Sequence, residues 1–129
     1  MAGVLIDTSV WIESMRRGGD EAVRSRVEAL VTEGRARFCD LVRLELWAGI
    51  GEAERRWLRQ MESLVETAPT DTPVWELARK LAGTARAQGT TFHAPDLLIA
   101  ACARANDLEL YHRDAHLKKI LDFAARVKA

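Results

Sequence analysis

The sequence predicts an α/β fold, a sandwich of helices around a parallel β-sheet, and three observations carry that reading. Short apolar runs of strand length alternate along the chain with longer segments of helical periodicity. The first run, Val4-Leu5-Ile6, is apolar without interruption, which suits a strand covered on both faces as in a parallel sheet. Capping and turn residues fall at the junctions between runs, so the alternation is punctuated where a βα repeat requires it.

The strand 4–6 ends at Asp7, and Thr8 and Ser9 can cap a short helix through Trp11 and Ile12. Asp20 opens a second helix with Val23, Val27, Leu30 and Val31 at helical spacing, and Gly34 ends it. Residues 36–39 read as a second strand and 41–50 as a helix that Gly51 terminates or kinks. Helix continues over 53–61, with Arg55, Arg56 and Arg59 on a basic face, and Leu64-Val65 starts or forms a third strand. Thr72-Pro73 begins a helix that runs to about Gln88, before Gly89. Pro95 and Asp96 open another over 97–105, Asn106-Asp107 turns, and 108–111 is a fourth strand. A last helix is expected over 115–121, followed by an edge strand near 123–127.

The 129 residues amount to one domain, 1–129, long enough to bury a core. Hydrophobic residues make up 48% and charged residues 29%, a globular rather than disordered composition. Lys plus Arg and Asp plus Glu are both 19, so no global positive field marks a nucleic-acid binder and any such binding must come from local patches. Fifteen of the 19 basic residues are Arg, which grips phosphate bidentately, although codon bias accounts for that more simply. Cys39 and Cys102 stand apart among apolar residues with no Cys-x-x-Cys pair, as buried thiols of a reducing compartment do. The longest apolar run, 97–103, is far short of a membrane span, and the N-terminus lacks the basic region of a signal peptide, so a cytoplasmic location is expected.

Four acids carry the chemistry. Asp7 ends the first strand, Asp96 opens a helix after Pro95, and Asp114 follows the fourth strand; each by itself reads as a helix cap or turn residue. Glu45 is harder to absorb, because Leu41, Leu44 and Ala48 share its helical face and a carboxylate on an apolar face is costly unless paired. In α/β sheets the ligand lies beyond the carboxyl ends of the strands, where the first three acids fall. Clustered carboxylates raise one another's pKa, a divalent cation relieves that repulsion, and all-oxygen ligands favour Mg²⁺ or Mn²⁺ over zinc. A salt bridge from elsewhere in the chain is the plainer partner for Glu45.

These residues sit in segments that resemble the PIN-domain nucleases, and within them the VapC-type toxins of bacterial toxin–antitoxin pairs. The segments are Val4-Leu5-Ile6-Asp7-Thr8-Ser9-Val10-Trp11-Ile12, Leu44-Glu45-Leu46-Trp47-Ala48-Gly49, Pro95-Asp96-Leu97-Leu98-Ile99-Ala100-Ala101 and His112-Arg113-Asp114-Ala115-His116-Leu117. The resemblance implies a three-layer α/β/α sandwich with a central parallel sheet. It implies a Mg²⁺- or Mn²⁺-dependent endoribonuclease in which Asp7, Glu45, Asp96 and Asp114 hold one or two ions. Ser9 would hydrogen-bond within the site, with Thr8 a weaker candidate. It further implies transfer or ribosomal RNA as substrate, a homodimer, and a cognate antitoxin whose tail covers the active-site groove.

The fourth segment departs from the family pattern Thr-x-Asp-x-Asp-Phe: His112, His116 and Leu117 replace the Thr, the second Asp and the Phe. Loss of that second carboxylate weakens a second metal position. His116 reads as a half-exposed helix residue, Asp40 as a helix cap, and His93 as a loop residue near Asp96. Arg16, Arg17 and the Arg55 to Arg59 face could guide a nucleic-acid backbone by charge, with a solvated helix face the plainer reading of the latter. Trp11 is assigned to the core, and Trp47 to core or groove. Receiver domains need paired acids at the first strand, and haloacid dehalogenase-like phosphatases need Asp-x-Asp there; here the third position is Ser9. The alternatives that stay open are a catalytically weak scaffold that binds RNA or a partner, and a metal-dependent DNA nuclease.

Overall fold

The computed structural model describes residues 2–127. In chain order it runs β1 (Val4–Ile6), α1 (Thr8–Met15), α2 (Glu21–Thr32), β2 (Ala36–Cys39), α3 (Asp40–Gly49), α4 (Glu52–Leu64), β3 (Glu66–Ala68), α5 (Thr72–Ala87), α6 (Ala94–Ala105), β4 (Glu109–Tyr111) and α7 (Ala115–Arg126). The four strands form one sheet in the order β3-β2-β1-β4, and every pair is parallel. Helices flank this sheet, as the sequence predicts.

β1 takes the central place because its residues tolerate nothing else. Val4, Leu5 and Ile6 are fully buried, and burial of such side chains contributes about 1.5–3 kcal/mol each. The edge strands β3 and β4 each expose a glutamate, Glu66 and Glu109. Trp11 lies in the core as expected, stacked on Phe38 with ring centroids 4.7 Å apart. Asp20 caps α2 by accepting hydrogen bonds from the Ala22 and Val23 N–H groups. Both cysteines are buried and free; a hydrogen bond with Cys102, then burial, push the Cys39 thiol far above its ordinary range, so it stays protonated.

Several boundaries differ from expectation: α6 starts at Ala94 rather than 97, and Asp7 rather than Thr8 or Ser9 takes the N-cap position of α1. The edge strand expected near 123–127 is not formed; the helix continues through Phe123 and Ala124 to Arg126, because Leu117, Ile120, Phe123 and Ala124 recur at helical spacing and all four are buried. Ile120, Phe123 and Ala124 close a second core cluster with Leu81, Ala85, Leu97 and Ala100 of α5 and α6. Leu64 belongs to α4 and is 66% exposed, so β3 begins two residues later at Glu66. Asp40 is the first residue of α3 rather than its cap, a place that Cys39 takes.

Candidate functional site

The sheet order reverses direction about β1: the chain proceeds outward through β2 and β3, then returns to place β4 on the other side. Such a reversal marks the ligand crevice of a parallel sheet, here at the carboxyl ends of β1 and β4. Asp7 stands at the end of β1, and its N–H donates to the Tyr111 carbonyl at the end of β4 (3.0 Å). Asp114 follows β4 three residues on, and Asp96 sits in the first turn of α6. The crevice thus draws carboxylates from three elements far apart in sequence.

Asp7 occupies the N-cap position of α1, yet its side chain caps nothing. Its carboxylate instead accepts from the Ser9 hydroxyl at Oδ2 (2.9 Å). It is the single buried charged residue among those described, 7% exposed, and no cation pairs with it there. Asp114 keeps the capping role the sequence allows, its Oδ1 accepting from the His116 N–H (2.8 Å). Its own N–H donates to His112 Nδ1 (3.2 Å), which fixes that ring.

Glu45 is placed differently from the sequence argument. The buried face of α3 is Val42 and Leu46, while Leu44 is 64% exposed and Ala48 is exposed too. The apolar face inferred around Glu45 therefore does not face the core, and burial does not force a partner on it. What places Glu45 at the site is a hydrogen bond across the α1–α3 contact: the Thr8 hydroxyl donates to Glu45 Oε1 at 2.6 Å. Thr8, the weaker sequence candidate, therefore has the more informative contact. Consecutive hydroxyls at the start of α1 thus engage two of the four acids, Thr8 on Glu45 and Ser9 on Asp7.

The electrostatics agree with convergence. Burial first, then the negative charge of Asp114 and, behind it, that of Asp7 raise the Asp96 carboxyl above its ordinary value, while His93 and His116 work against the rise. His93 caps α6 by position, with Nδ1 4.0 Å from Asp96 Oδ2. Among the described residues no arginine forms an ion pair with Asp7, Asp96 or Asp114. Arg113, next to Asp114 in sequence, turns instead to Glu13 (3.6 Å) and Asp20 (3.8 Å). Among the described residues no group of three or more His, Cys, Asp or Glu side chains is placed to hold a metal ion as it stands. The donor set nevertheless fits a hard divalent ion: carboxylate oxygens, one of them buried without a cation, crowding enough to raise a neighbour's pKa.

Of the residues singled out from sequence, Asp7, Ser9, Asp96 and Asp114 gather at the crevice, and Glu45 reaches its rim through Thr8. All three histidines border it: His93 and His116, both exposed, act on the Asp96 carboxyl, and the His112 ring accepts from the Asp114 N–H. Trp47 is half-buried, its indole N–H donating to Glu62 (3.2 Å) and the Arg59 guanidinium 5.7 Å over its ring.

Comparison with known proteins places these features in context. The PIN domain family model matches residues 4–121. The VapC ribonuclease Mb1587 of Mycobacterium bovis is 32% identical over 119 residues, covering 87% of each chain. Among solved structures, VapBC2 from Rickettsia felis bound to a promoter DNA fragment superposes with a TM-score of 0.74 at 18% identity, covering 90% of both chains. FitAB bound to the IR36 DNA fragment gives 0.72 at 21% identity, covering 95% of this chain and 90% of that one. At those identities the two structures speak to the fold.

Proposed function

The chain belongs to the PIN-domain family, and from that premise we propose that it is a Mg²⁺- or Mn²⁺-dependent endoribonuclease, the toxin of a toxin–antitoxin pair, working at the crevice of Asp7, Asp96, Asp114 and Glu45. One observation carries the reading: a buried aspartate at the end of the central strand has no cation partner among the described residues and shares its crevice with a second carboxyl whose pKa is raised. The 32% identity to a VapC ribonuclease supports RNA as the substrate. Neighbours that are VapBC and FitAB complexes support a cognate antitoxin as partner.

In this mechanism Asp7, Asp96 and Asp114 would hold the ion. When bound, the ion supplies Lewis acidity to the phosphoryl and leaving oxygens and acidifies the attacking water. Ser9 fixes the Asp7 carboxylate through its hydrogen bond to Oδ2. Thr8 occupies Glu45 Oε1, which leaves Oε2 to accept a proton from that water or to help hold a second ion. In-line attack leaves a 5′-phosphate and a 3′-hydroxyl. The 2′-hydroxyl takes no part, so preference for RNA comes from groove shape and contacts to unstacked bases.

Total cellular RNA incubated with purified wild type and Asp96→Asn, in Mg²⁺, Mn²⁺ or EDTA, tests the proposal. Discrete fragments are expected with wild type and metal only, and their termini should carry 5′-phosphates. Equal cleavage by the two proteins, or cleavage that survives EDTA, would overturn it. A metal-dependent DNA nuclease is separated by adding single-stranded DNA as competitor substrate.

A further inference from the structure

A cavity of about 440 Å³ lies beside the acid crevice and outside it, lined by Ile12, Met15, Arg16 and Arg17 of the α1 end and by Gly49, Ile50, Gly51 and Glu54 of the α3–α4 junction. Helix periodicity connects it to the crevice. Thr8, Ile12 and Met15 follow one face of α1, and Glu45 and Gly49 follow one face of α3. The cavity is therefore the next turn of the seam that opens with the Thr8–Glu45 hydrogen bond. At about 1.5 Å per residue, Arg16 stands on the order of 12 Å along α1 from Thr8, a nucleotide or two from the reacting phosphate.

We propose that this cavity is a substrate subsite, taking one unstacked nucleotide that flanks the scissile bond, with its base on Ile12, Met15 and Ile50 and its phosphate at Arg16 and Arg17. The inference rests on the nuclease reading and adds where the RNA strand runs. The volume falls in the range of small-ligand sites, ~300–1,000 Å³. The charges favour a polyanion. Arg17 is exposed and has no ion pair among the described residues, and neither do Arg55 and Arg56 in the first turns of α4. Arg16 shares its guanidinium with Glu13 (2.8 Å) and keeps donors free for phosphate. The one acid of the lining, Glu54, holds its carboxylate close over Gly51 at the start of its own helix. Glycine at 49 keeps the cavity open: a Cβ there would meet no atom within 4 Å. A larger side chain at that position fills the space without displacing the fold.

The test is a titration of the full-length, ¹⁵N-labelled chain in EDTA with the four nucleoside 5′-monophosphates, read from amide shifts. At least one nucleotide should give saturable shifts at Ile12, Arg16, Gly49 and Gly51. Gly49→Leu and Arg17→Glu should each weaken that binding about tenfold, with melting temperatures unchanged. On cleavable RNA both variants should raise KM and leave kcat near wild type. No saturable shift at these amides with any nucleotide overturns the subsite, as does binding that both variants leave intact. Shifts at these amides caused by a cognate antitoxin and by none of the nucleotides overturn it too, and mark the cavity as a protein-docking site. Because the titration involves no cleavage, its failure leaves the nuclease reading to the RNA assay, and an inactive enzyme leaves the subsite to the titration.

Discussion

A carboxylate nearly sealed from water costs several kcal/mol unless something compensates its charge. Asp7 finds only the Ser9 hydroxyl among the described residues. At this scale the sequence names candidate acids without the reason that would single them out. Asp7, Asp96 and Asp114 each fit a helix start, and Asp114 does cap α7; the missing side-chain cap at Asp7 is what sets it apart from a structural residue. Glu45 was found by an argument about an apolar face that the structure does not bear out, since exposure of Leu44 depends on what packs over α3, which periodicity cannot report. The crowding has a measurable cost. Burial, then Asp114 and more weakly Asp7, raise the folded Asp96 above its ordinary value of 3.8. The folded chain holds that proton more tightly than the unfolded one, so the stability it contributes is full below the ordinary carboxylate pKa and is lost as pH rises through the raised value. Metal-free Asp96→Asn should therefore melt above wild type at pH 7, with the gap closing on acidification. Thermal melts across pH decide this, and a mutant that melts lower at pH 7 would contradict the crowding.

Elements were legible where packing follows local period and less so where apolar residues end a segment. The run from Phe123 to Val127 suits an edge strand as well as a helix; its core partners on α5 and α6 settle it, and those lie more than twenty positions upstream. Leu64 posed the same problem, its apolar side chain being exposed at the end of α4. The α3–α4 corner is held instead by a polar clamp no period announces. Glu62 of α4 accepts from Arg43 Nε (2.7 Å) and from the Trp47 indole (3.2 Å), both on α3, at 16% side-chain exposure. Hydrogen bonds to a charged group contribute about 1.5–3 kcal/mol, so Glu62→Ala should lower the unfolding free energy by about 2 kcal/mol. Urea unfolding with an unchanged m-value measures it. A loss within a few tenths of a kcal/mol would mean that apolar contacts alone hold α4 to α3.

Across the whole molecule the site is a consequence of topology. Parallel pairing sends every strand's carboxyl end to one side, and the order β3-β2-β1-β4 sets β1 beside β4, so residues 7 and 114 fall at one end of the sheet, where Asp96 of α6 feels the charge of both though their separations along the chain say nothing of proximity. The general rule for parallel sheets made that convergence readable in advance; the α1–α3 cavity and the diversion of Arg113 to Glu13 and Asp20 depend on side-chain packing and were not. Because the acids come from separate elements, an ion held between them stabilises only the assembled sheet end. Binding to the folded chain alone stabilises it by RT ln(1 + [L]/Kd), about 2.7 kcal/mol at a hundredfold excess over Kd, which for a chain of this size is a rise of several degrees in Tm. Mn²⁺ should raise the Tm of wild type in this way and EDTA should reverse it. Asp7→Asn and Asp96→Asn should lose most of the shift, while Asp20→Asn, which alters the cap of α2 outside the crevice, should keep it. An equal shift in all four proteins would place the ion elsewhere on the surface, and no shift in wild type would remove the metal from the mechanism.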